Sequence, residues 1–275
     1  MNIGLIGCGK VGTTLFYMLK NNNKIIGAYD IKKSNQNRAA KRLGIRKNPG
    51  LAELCVKSQA LFFATPDDQI LRAYKIAKPF IKGKKYIFHF SGLLPAAIFP
   101  RTRNIYCASV HPFATFPEIV LPPARKKYYL FVEGDEQARS TAKRIFAKKN
   151  FIIKKIRGYR KTKHHLLGVF SSNLLVGLIS AVCGLAKDIG WTKKDVNDVV
   201  IPIIQETISN IREKGLNKAL SGPLERGDIE VIKKHLDTLK KNKNLLDIYK
   251  TLSRAILKNV VKNSNKKKIE ELLNK

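Results

Sequence analysis

Residues 4–12 read GLIGCGKVG, an apolar run that passes into Gly7, Gly9 and Gly12 with the spacing G-x-G-x-x-G. Three glycines at this spacing also occur in ordinary flexible turns, so the flanking sequence has to decide what they mean. The apolar residues before them predict a short strand, and the residues after them predict a helix. A strand, a glycine-rich turn and a helix in this order therefore set the fold of the amino-terminal half.

The second strand completes a βαβ unit around these glycines. Ile3–Ile6 and Lys24–Asp30 are the two predicted strands, and Thr13–Lys20 is the helix between them. In such a unit the glycine backbone approaches a diphosphate, and the helix amino terminus binds its negative charge. We therefore expect a dinucleotide to contact Gly7, Gly9, Lys10, Val11 and Gly12.

Asp30 ends the second predicted strand. A carboxylate at that position accepts hydrogen bonds from the ribose hydroxyls of NAD and repels the 2′-phosphate of NADP. Lys32 and Lys33 follow immediately and provide charge that would neutralise such a phosphate. The predicted cofactor is NAD or NADP, with a slight preference for NAD.

The remaining sequence predicts two domains. Apolar strands alternate with helical segments up to residue 157, which predicts an α/β domain (1–157) with a mostly parallel, doubly wound sheet. From residue 158 a long apolar helix begins, and further helices are predicted at 193–213, 228–241 and 244–262. Residues 158–275 thus predict an all-α domain, whose last dozen residues we expect to be a solvated tail.

The composition excludes several classes. With 44% hydrophobic and 27% charged residues, the chain is globular rather than disordered. Its net charge of +33 comes from dispersed basic residues without an aromatic-interleaved patch, so nucleic-acid binding is not favoured. The four cysteines form no C-x-x-C pair, which argues against zinc or disulfides. We expect no membrane span of about 20 apolar residues and a cytoplasmic location.

Five further segments support a family resemblance. They are ATPDDQI (64–70), HFSG (89–92), SVHPFATF (109–116), KHHLLGVFSSNLL (163–175) and GLNKALSGPLERGDIEVIKKHL (215–236). Together they resemble the Rossmann-type oxidoreductases that carry a helical carboxy-terminal domain of unknown function. These are relatives of pyrroline-5-carboxylate reductase, deazaflavin-dependent NADP reductase and the β-hydroxyacid dehydrogenases. The resemblance implies a nicotinamide dinucleotide cofactor and a homodimer formed through the helical domains, but no substrate.

Polar residues at predicted strand ends are the first site candidates. Ligands of open α/β sheets bind beyond the carboxyl ends of the strands. Thr65, Pro66 and Ser91 are therefore predicted to contact the cofactor, although plain turn residues are an equal alternative. His111 is a candidate catalytic acid, because imidazole exchanges protons near neutrality. The alternative is a packed histidine bonded to a backbone carbonyl.

A second set of candidates lies on the long helix. Lys161, His165 and Ser172 are offset by four and seven residues, which predicts one helical face. Lys161 is a candidate proton donor, His165 and Asn173 are further catalytic candidates, and Ser172 is a candidate substrate contact. The alternatives are a solvated lysine and helix–helix hydrogen bonds. The sequence does not separate His111 from Lys161 as the proton donor.

Arg226 lies beside a Gly-Pro turn and is a candidate clamp for a substrate carboxylate. Taken together, the residues predict an NAD(P)-dependent oxidoreductase. We expect hydride to be transferred to or from a small carbonyl, hydroxy-acid or imine substrate bound between the domains. We expect no metal in the site. The alternatives are a non-catalytic dinucleotide-binding regulator and, less favoured, a basic nucleic-acid-associated protein.

Overall fold

The computed structural model describes residues 1–119, 127–147, 150–261 and 263–274. The chain divides into two compact units, Met1–Ser172 and Asn173–Lys275. This division falls inside the long helix, whereas the sequence analysis drew the boundary before that helix. The first turns of the helix therefore count with the α/β unit.

The first unit is built on a seven-stranded sheet. Its strands are β1 (Asn2–Ile6), β2 (Lys24–Tyr29), β3 (Ala60–Phe63), β4 (Lys85–His89), β5 (Ile105–Pro112), β6 (Tyr128–Gly134) and β7 (Phe151–Lys155). They lie in the order β2-β1-β3-β4-β5-β6-β7. All neighbouring pairs are parallel except β5 and β6, which are antiparallel. The predicted mostly parallel, doubly wound sheet is confirmed.

Helices cover both faces of this sheet. They are α1 (Lys10–Leu19), α2 (Lys33–Leu43), α3 (Leu51–Lys57), α4 (Asp67–Ala77) and α5 (Glu136–Ile145). Successive residues of β3 point to opposite faces, so Phe62 packs against Phe16 of α1 while Phe63 packs against Tyr74 of α4. Because both faces are buried, β3 consists entirely of apolar residues.

The long helix is continuous but not uniformly α-helical. A 3₁₀ turn (Gly158–Arg160) leads into α6 (Lys161–Gly168), a π-helical segment (Val169–Asn173) and α7 (Leu174–Asp188). Within Gly158–Asp188, an 18-residue window has a mean hydropathy of 2.0, so the helix is long and apolar enough to cross a membrane by length and composition alone. The expectation that no such stretch exists is wrong on this criterion, because residues 166–186 contain no charged side chain.

The second unit is entirely helical over its described residues. After α7 it contains α8 (Lys193–Asp195), a π-helical segment (Val196–Val200), α9 (Ile201–Lys214), α10 (Leu216–Ala219), α11 (Pro223–Arg226), α12 (Ile229–Leu239), α13 (Lys243–Asn259) and α14 (Lys266–Asn274). The expected solvated tail is wrong, because Ile269 and Leu273 of α14 are fully buried against Ile232 and Leu257. The two buried residues of α14 are four positions apart and so share one apolar face. The lysine run at the start of the helix makes that pattern hard to recognise in the sequence.

Candidate functional site

The glycine-rich turn has a shape that only glycine fits at two positions. Gly7 has φ +94°, and a Cβ there would lie 2.7 Å from the backbone of Ala64. A Cβ on Gly12 would lie 2.6 Å from the Ala64 Cβ, so this glycine lets α1 pack directly against the end of β3. These are the positions where the sequence analysis required a tight turn and close helix packing.

The amino terminus of α1 is left open to a ligand. Gly9 is its N-cap, and no side chain caps the helix. The first N–H groups of a helix have no intrahelical acceptor, so those that follow Gly9, at Lys10 and Val11, are available to an anion. A Cβ on Gly9 would come no closer than 3.9 Å to any protein atom, so the space above Gly9 belongs to the cavity and not to the core.

A cavity of about 490 Å³ opens beside this turn. Five of the predicted cofactor-binding residues line it: Gly7, Gly9, Asp30, Thr65 and Pro66. Lys32 lines it as well. One face of α4 forms another wall through Gln69, Arg72, Ala73 and Ile76. This face of α4 was not predicted from the sequence. The available signal was the helical spacing of the residues that follow Thr65 and Pro66.

The hydrogen bonding of the Thr65 hydroxyl bears on whether the cavity suits a dinucleotide. Its Oγ1 is buried and has no hydrogen-bond partner among the described residues. Buried hydroxyls are nearly always hydrogen-bonded, so this one calls for a partner from outside the chain. An unpaired hydroxyl, a bare glycine turn and the uncapped amino terminus of α1 together fit the polar groups of a dinucleotide.

Asp30 joins the end of β2 to the glycine-rich turn. Its Oδ2 accepts a hydrogen bond of 2.8 Å from the Cys8 N–H, and its Oδ1 accepts one of 2.8 Å from the Lys32 N–H. These two backbone bonds fix the carboxylate at the cavity wall. A carboxylate oxygen accepts more than one hydrogen bond, so Asp30 retains capacity for ribose hydroxyls.

Ser91, in the loop after β4, has its hydroxyl satisfied inside the protein. The Oγ donates to Asp67 Oδ2 at 2.7 Å and accepts from the N–H groups of Leu93 and Leu94 at 3.1 and 2.9 Å. The Ser91 side chain therefore shapes the loop that follows β4. Its predicted contact with the cofactor stays a prediction.

Lys161 is a buried residue, only 2% exposed, in the first turn of α6. Its Nζ donates to the Ser91 carbonyl oxygen at 3.0 Å and to Ser109 Oγ at 2.5 Å. Burial lowers the pKa of Lys161 to about 8, while the carboxylates of Glu133 and Asp67 act in the opposite direction. The alternative of a solvated lysine is thereby excluded.

His111 lies at the carboxyl end of β5 with one ring nitrogen fixed. Its Nδ1 lies 3.3 Å from the Phe90 carbonyl oxygen, and because a carbonyl only accepts, Nδ1 carries the proton. Burial lowers the pKa of His111 to about 4, and the charge of Lys161 contributes in the same direction. Near pH 7 the ring is neutral, and its Nε2 is a hydrogen-bond acceptor.

Two further histidines approach His111 from α6. The ring centroids of His164 and His165 lie 5.8 and 6.2 Å from that of His111. His164 packs between Phe113 and Phe131, at centroid distances of 4.9 and 4.1 Å. His164 was not predicted as a site residue from the sequence. Its position between these two phenylalanine rings is a packing contact. The burial lowers its pKa.

The lack of a side chain at Gly92 leaves room for the rings of both His111 and His165. A Cβ on Gly92 would lie 2.7 Å from both His111 Cε1 and His165 Cδ2. The structure therefore brings two predicted catalytic residues together over a glycine of the β4 loop. The groups next to them are Lys161, Ser109 and Ser91 from the same unit.

Three further predicted residues are Ser172, Asn173 and Arg226. Ser172 follows His165 across the π-helical segment, whose wider turn displaces it from the single face that an uninterrupted α-helix would give. Asn173 is exposed and begins the second unit. Arg226, also in the second unit, pairs with Asp228, its Nη2 2.8 Å from Oδ2. The roles of these three residues stay predictions.

Comparison with known proteins agrees with this architecture. Residues 128–256 match the model of a domain of unknown function, DUF2520. None of the curated proteins matches the chain.

Three solved structures illustrate the structural likeness. A Bacteroides fragilis protein provisionally named an NADP oxidoreductase is 22% identical with a TM-score of 0.75, over 93% of this chain and 97% of that one. An Aspergillus terreus reductive aminase in complex with NADPH and ethyl-5-oxohexanoate is 12% identical with a TM-score of 0.67, over 98% and 99%. Plasmodium falciparum pyrroline carboxylate reductase with NADP bound is 14% identical with a TM-score of 0.61, over 93% and 96%.

At these identities the likeness establishes the fold, a Rossmann-type α/β unit followed by a helical unit. The fold class predicted from the sequence and the family resemblance are both confirmed at this level.

Proposed function

We propose that this protein is a nicotinamide-dinucleotide-dependent oxidoreductase acting on a small hydroxy, carbonyl or imine compound. The observation that carries the proposal is the cavity beside the glycine-rich turn, with the unpaired Thr65 hydroxyl and the Asp30 carboxylate on its walls. The NADP- and NADPH-bound structural neighbours support the same cofactor class.

The strand order supports an extended ligand along the carboxyl edge of the sheet. The amino terminus of α1, after β1, would hold the diphosphate, and Asp30, after β2, would hold the adenosine ribose. Neighbouring strands are about 4.8 Å apart, so the β4 loop is about 10 Å from β1. That span suits the nicotinamide half of a dinucleotide, which when bound supplies or accepts a hydride.

His111 is the residue we assign to proton transfer with the substrate. A neutral imidazole whose Nδ1–H is held by Phe90 presents Nε2 as a base. It accepts the proton from a hydroxyl or amino group as the substrate carbon gives up hydride, and it returns that proton in the reverse direction. Because burial lowers its pKa, His111 is unprotonated near pH 7 and its Nε2 lone pair is available to the substrate proton.

We propose NAD as the preferred cofactor. The negative charge of Asp30 stands where a 2′-phosphate would approach. Lys32 and Arg72 line the same cavity and would lessen that repulsion. The preference is therefore expected to be modest, about tenfold.

Cofactor binding is the first experiment. Titration of the protein with NADH and NADPH, followed by nucleotide fluorescence and thermal shift, is expected to give saturable binding with NADH tighter. Absence of binding to either nucleotide overturns the proposal. Equal or tighter binding of NADPH overturns the preference for NAD only.

Turnover separates the enzyme from a regulator. With NAD(H) bound, a panel of hydroxy acids, keto acids, amines and imines is expected to include a substrate. His111→Gln is expected to lower turnover about 100-fold while leaving NADH affinity unchanged. A panel without any turnover, together with intact NADH binding, favours the non-catalytic regulator.

We further propose that the protein is a homodimer formed through its helices. Phe170 and Val176 on the long helix are 66% and 68% exposed, and Ile203 of α9 is 61% exposed. Large apolar side chains exposed to this degree on helices are typical of an association surface. Light scattering is expected to give twice the chain mass, and Val176→Glu to give a monomer. Partition of the wild type into lipid vesicles instead favours a membrane as the partner.

A further inference from the structure

The carbonyl oxygen of Ser91 receives two buried donors. Lys161 Nζ lies 3.0 Å from it and Ser109 Oγ lies 3.2 Å from it. Lys161 also donates to Ser109 Oγ, at 2.5 Å. Both donor side chains are buried, with exposures of 2% for Lys161 and 0% for Ser109. A positive charge in a low-dielectric site therefore acts on a single peptide group.

The other end of that peptide is the N–H of Gly92. The described chain contains no cis peptide, so the Gly92 N–H points away from the Ser91 carbonyl and its two donors. None of the described residues accepts a hydrogen bond from this N–H, although Gly92 is buried. A buried backbone N–H without an acceptor is rare in proteins and marks a place for an outside acceptor.

His111 stands next to this free N–H. Its Nε2 would lie 2.9 Å from a Cβ on Gly92, and His165 flanks the same position. A proton acceptor at the end of β5 and a hydrogen-bond donor in the loop after β4 thus lie next to each other, beside the proposed nicotinamide position. This pairing suits a single substrate oxygen or nitrogen that loses a proton and gains negative charge in the same step.

We propose that the Ser91–Gly92 peptide is the oxyanion donor of this site, and that Lys161 is the positioning residue that holds and polarises it. In the oxidative direction the substrate C–H bond would break, and a bound nicotinamide would take up the hydride. The O–H proton passes to His111 Nε2, and the C=O bond forms. The Gly92 N–H donates a hydrogen bond to that oxygen while the negative charge on the oxygen is greatest. The inference rests on the proposed function.

This assignment differs from a proton-donating Lys161. The ammonium is buried and donates to two protein oxygens, so it acts through the peptide and not on the substrate. Burial, and to a smaller extent the charge of Lys161, lowers the pKa of His89, His111 and His164, and the carboxylates of Asp67 and Glu133 act on Lys161 from α4 and β6. With those histidine pKa values lowered, Lys161 is the member of this group that titrates near pH 8.

Isotope labelling isolates this peptide in the full-length protein. The dipeptide Ser-Gly occurs at 91–92 and 221–222 and nowhere else in the sequence. Carbonyl-¹³C serine together with ¹⁵N-glycine therefore gives two correlated NMR signals, with Gly222 as an internal control from the second unit. A serine or glycine substitution at 221–222 assigns them.

The polarisation predicts how the signals respond to pH and to mutation. The Ser91 carbonyl carbon is expected at low field, and both this carbon and the Gly92 amide proton are expected to move upfield between pH 7 and 9 as Lys161 loses its proton. Lys161→Met is expected to shift both upfield and abolish the pH dependence, and Ser109→Ala to give a smaller upfield shift. Lys163→Met, at an exposed lysine of α6, is the matched control without effect. Identical Gly92 signals in the wild type and Lys161→Met overturn the inference.

Kinetics with a substrate from the panel test the catalytic consequence. Lys161→Met is expected to lower kcat by roughly tenfold with little change in KM, less than deletion of an oxyanion donor causes. The pH at which His111 titrates is expected to rise in this variant, since a nearby positive charge is lost. An unchanged kcat overturns the inference. If no compound in the panel turns over, the NMR result still decides whether Lys161 polarises the peptide, and only the proposed function fails.

Discussion

The Asp30 carboxylate accepts a 2.8 Å hydrogen bond from the backbone N–H of Cys8, and this bond ties the end of the second strand to the glycine-rich turn. The residue expected to hold the ribose thus also fixes the loop expected to hold the diphosphate. We therefore expect a substitution at Asp30 to affect the recognition of both the adenosine and the diphosphate.

Gly9→Ala is expected to weaken NADH binding at least tenfold without changing thermal stability. The added methyl group would contact no protein atom within 3.9 Å and would project into the cavity, where the diphosphate is expected. Isothermal titration and a melting curve measure the two effects. Gly50→Ala, at the N-cap of α3 where the space is open, is the matched control with normal binding. Normal NADH affinity in Gly9→Ala contradicts a ligand at this turn.

Asp30→Ser is expected to abolish the preference for NADH over NADPH. The substitution removes the charge that repels a 2′-phosphate, while Lys32 and Arg72 remain on the cavity wall. The ratio of the two dissociation constants is the measurement, with a change of about tenfold expected. Asp68→Ser, on the exposed first turn of α4, serves as the charge control. A ratio that stays constant means that Asp30 does not face the ribose.

The protein is expected to lose stability as the pH falls from about 6.5 toward 4. Burial lowers the pKa of His89 to about 3 and that of His111 to about 4. In this window the unfolded chain, with ordinary histidines, binds protons that the folded chain does not, so acid favours unfolding. Urea unfolding at pH 7.5 and pH 5 measures the loss.

His111→Gln is expected to make that loss of stability between pH 7.5 and pH 5 smaller. His235→Gln, at an exposed histidine of α12, is expected to leave it unchanged. An identical pH dependence in wild type and His111→Gln contradicts a buried, neutral His111.

Lys85→Met is expected to lower the free energy of unfolding by about 2 kcal/mol. The buried Lys85 ammonium donates to the carbonyl oxygens of Cys55, Val56 and Ser58, where α3 ends. Removing it leaves helix-terminal carbonyls without a donor. Denaturant unfolding measures the change, and Lys82→Met, at a nearby exposed lysine, is the control. A loss no larger than that of the control refutes the capping role.

Leu273→Ala is expected to destabilise the protein by about 2–5 kcal/mol. Leu273 is fully buried on α14 within the core of the second unit. Glu271→Ala, exposed on the same helix, is expected to change stability by less than about 0.5 kcal/mol. Equal stability of the two variants supports the solvated tail that the sequence analysis expected.

Much of the fold was predictable because its signals are local. A strand with both faces buried is apolar throughout, as β3 is, and the turn at Gly7 needs a positive φ that glycine readily adopts. The terminal helix α14 was missed because three consecutive lysines at its start outweigh an apolar face of few residues. The π-helical segment at Val169–Asn173 was missed because hydrophobic periodicity does not distinguish it from α-helix over one turn.

The sequence by itself determined the βαβ unit, the glycine turn, the acidic residue after the second strand and the helical second half, since each depends on neighbours in the chain. Only the tertiary structure decided that Lys161 donates a hydrogen bond to the Ser91 carbonyl oxygen and that the rings of His111 and His165 both lie next to Gly92. Those contacts join residues far apart in sequence. Burial then sets their protonation, because the cost of removing a charge from water depends on every group packed around it.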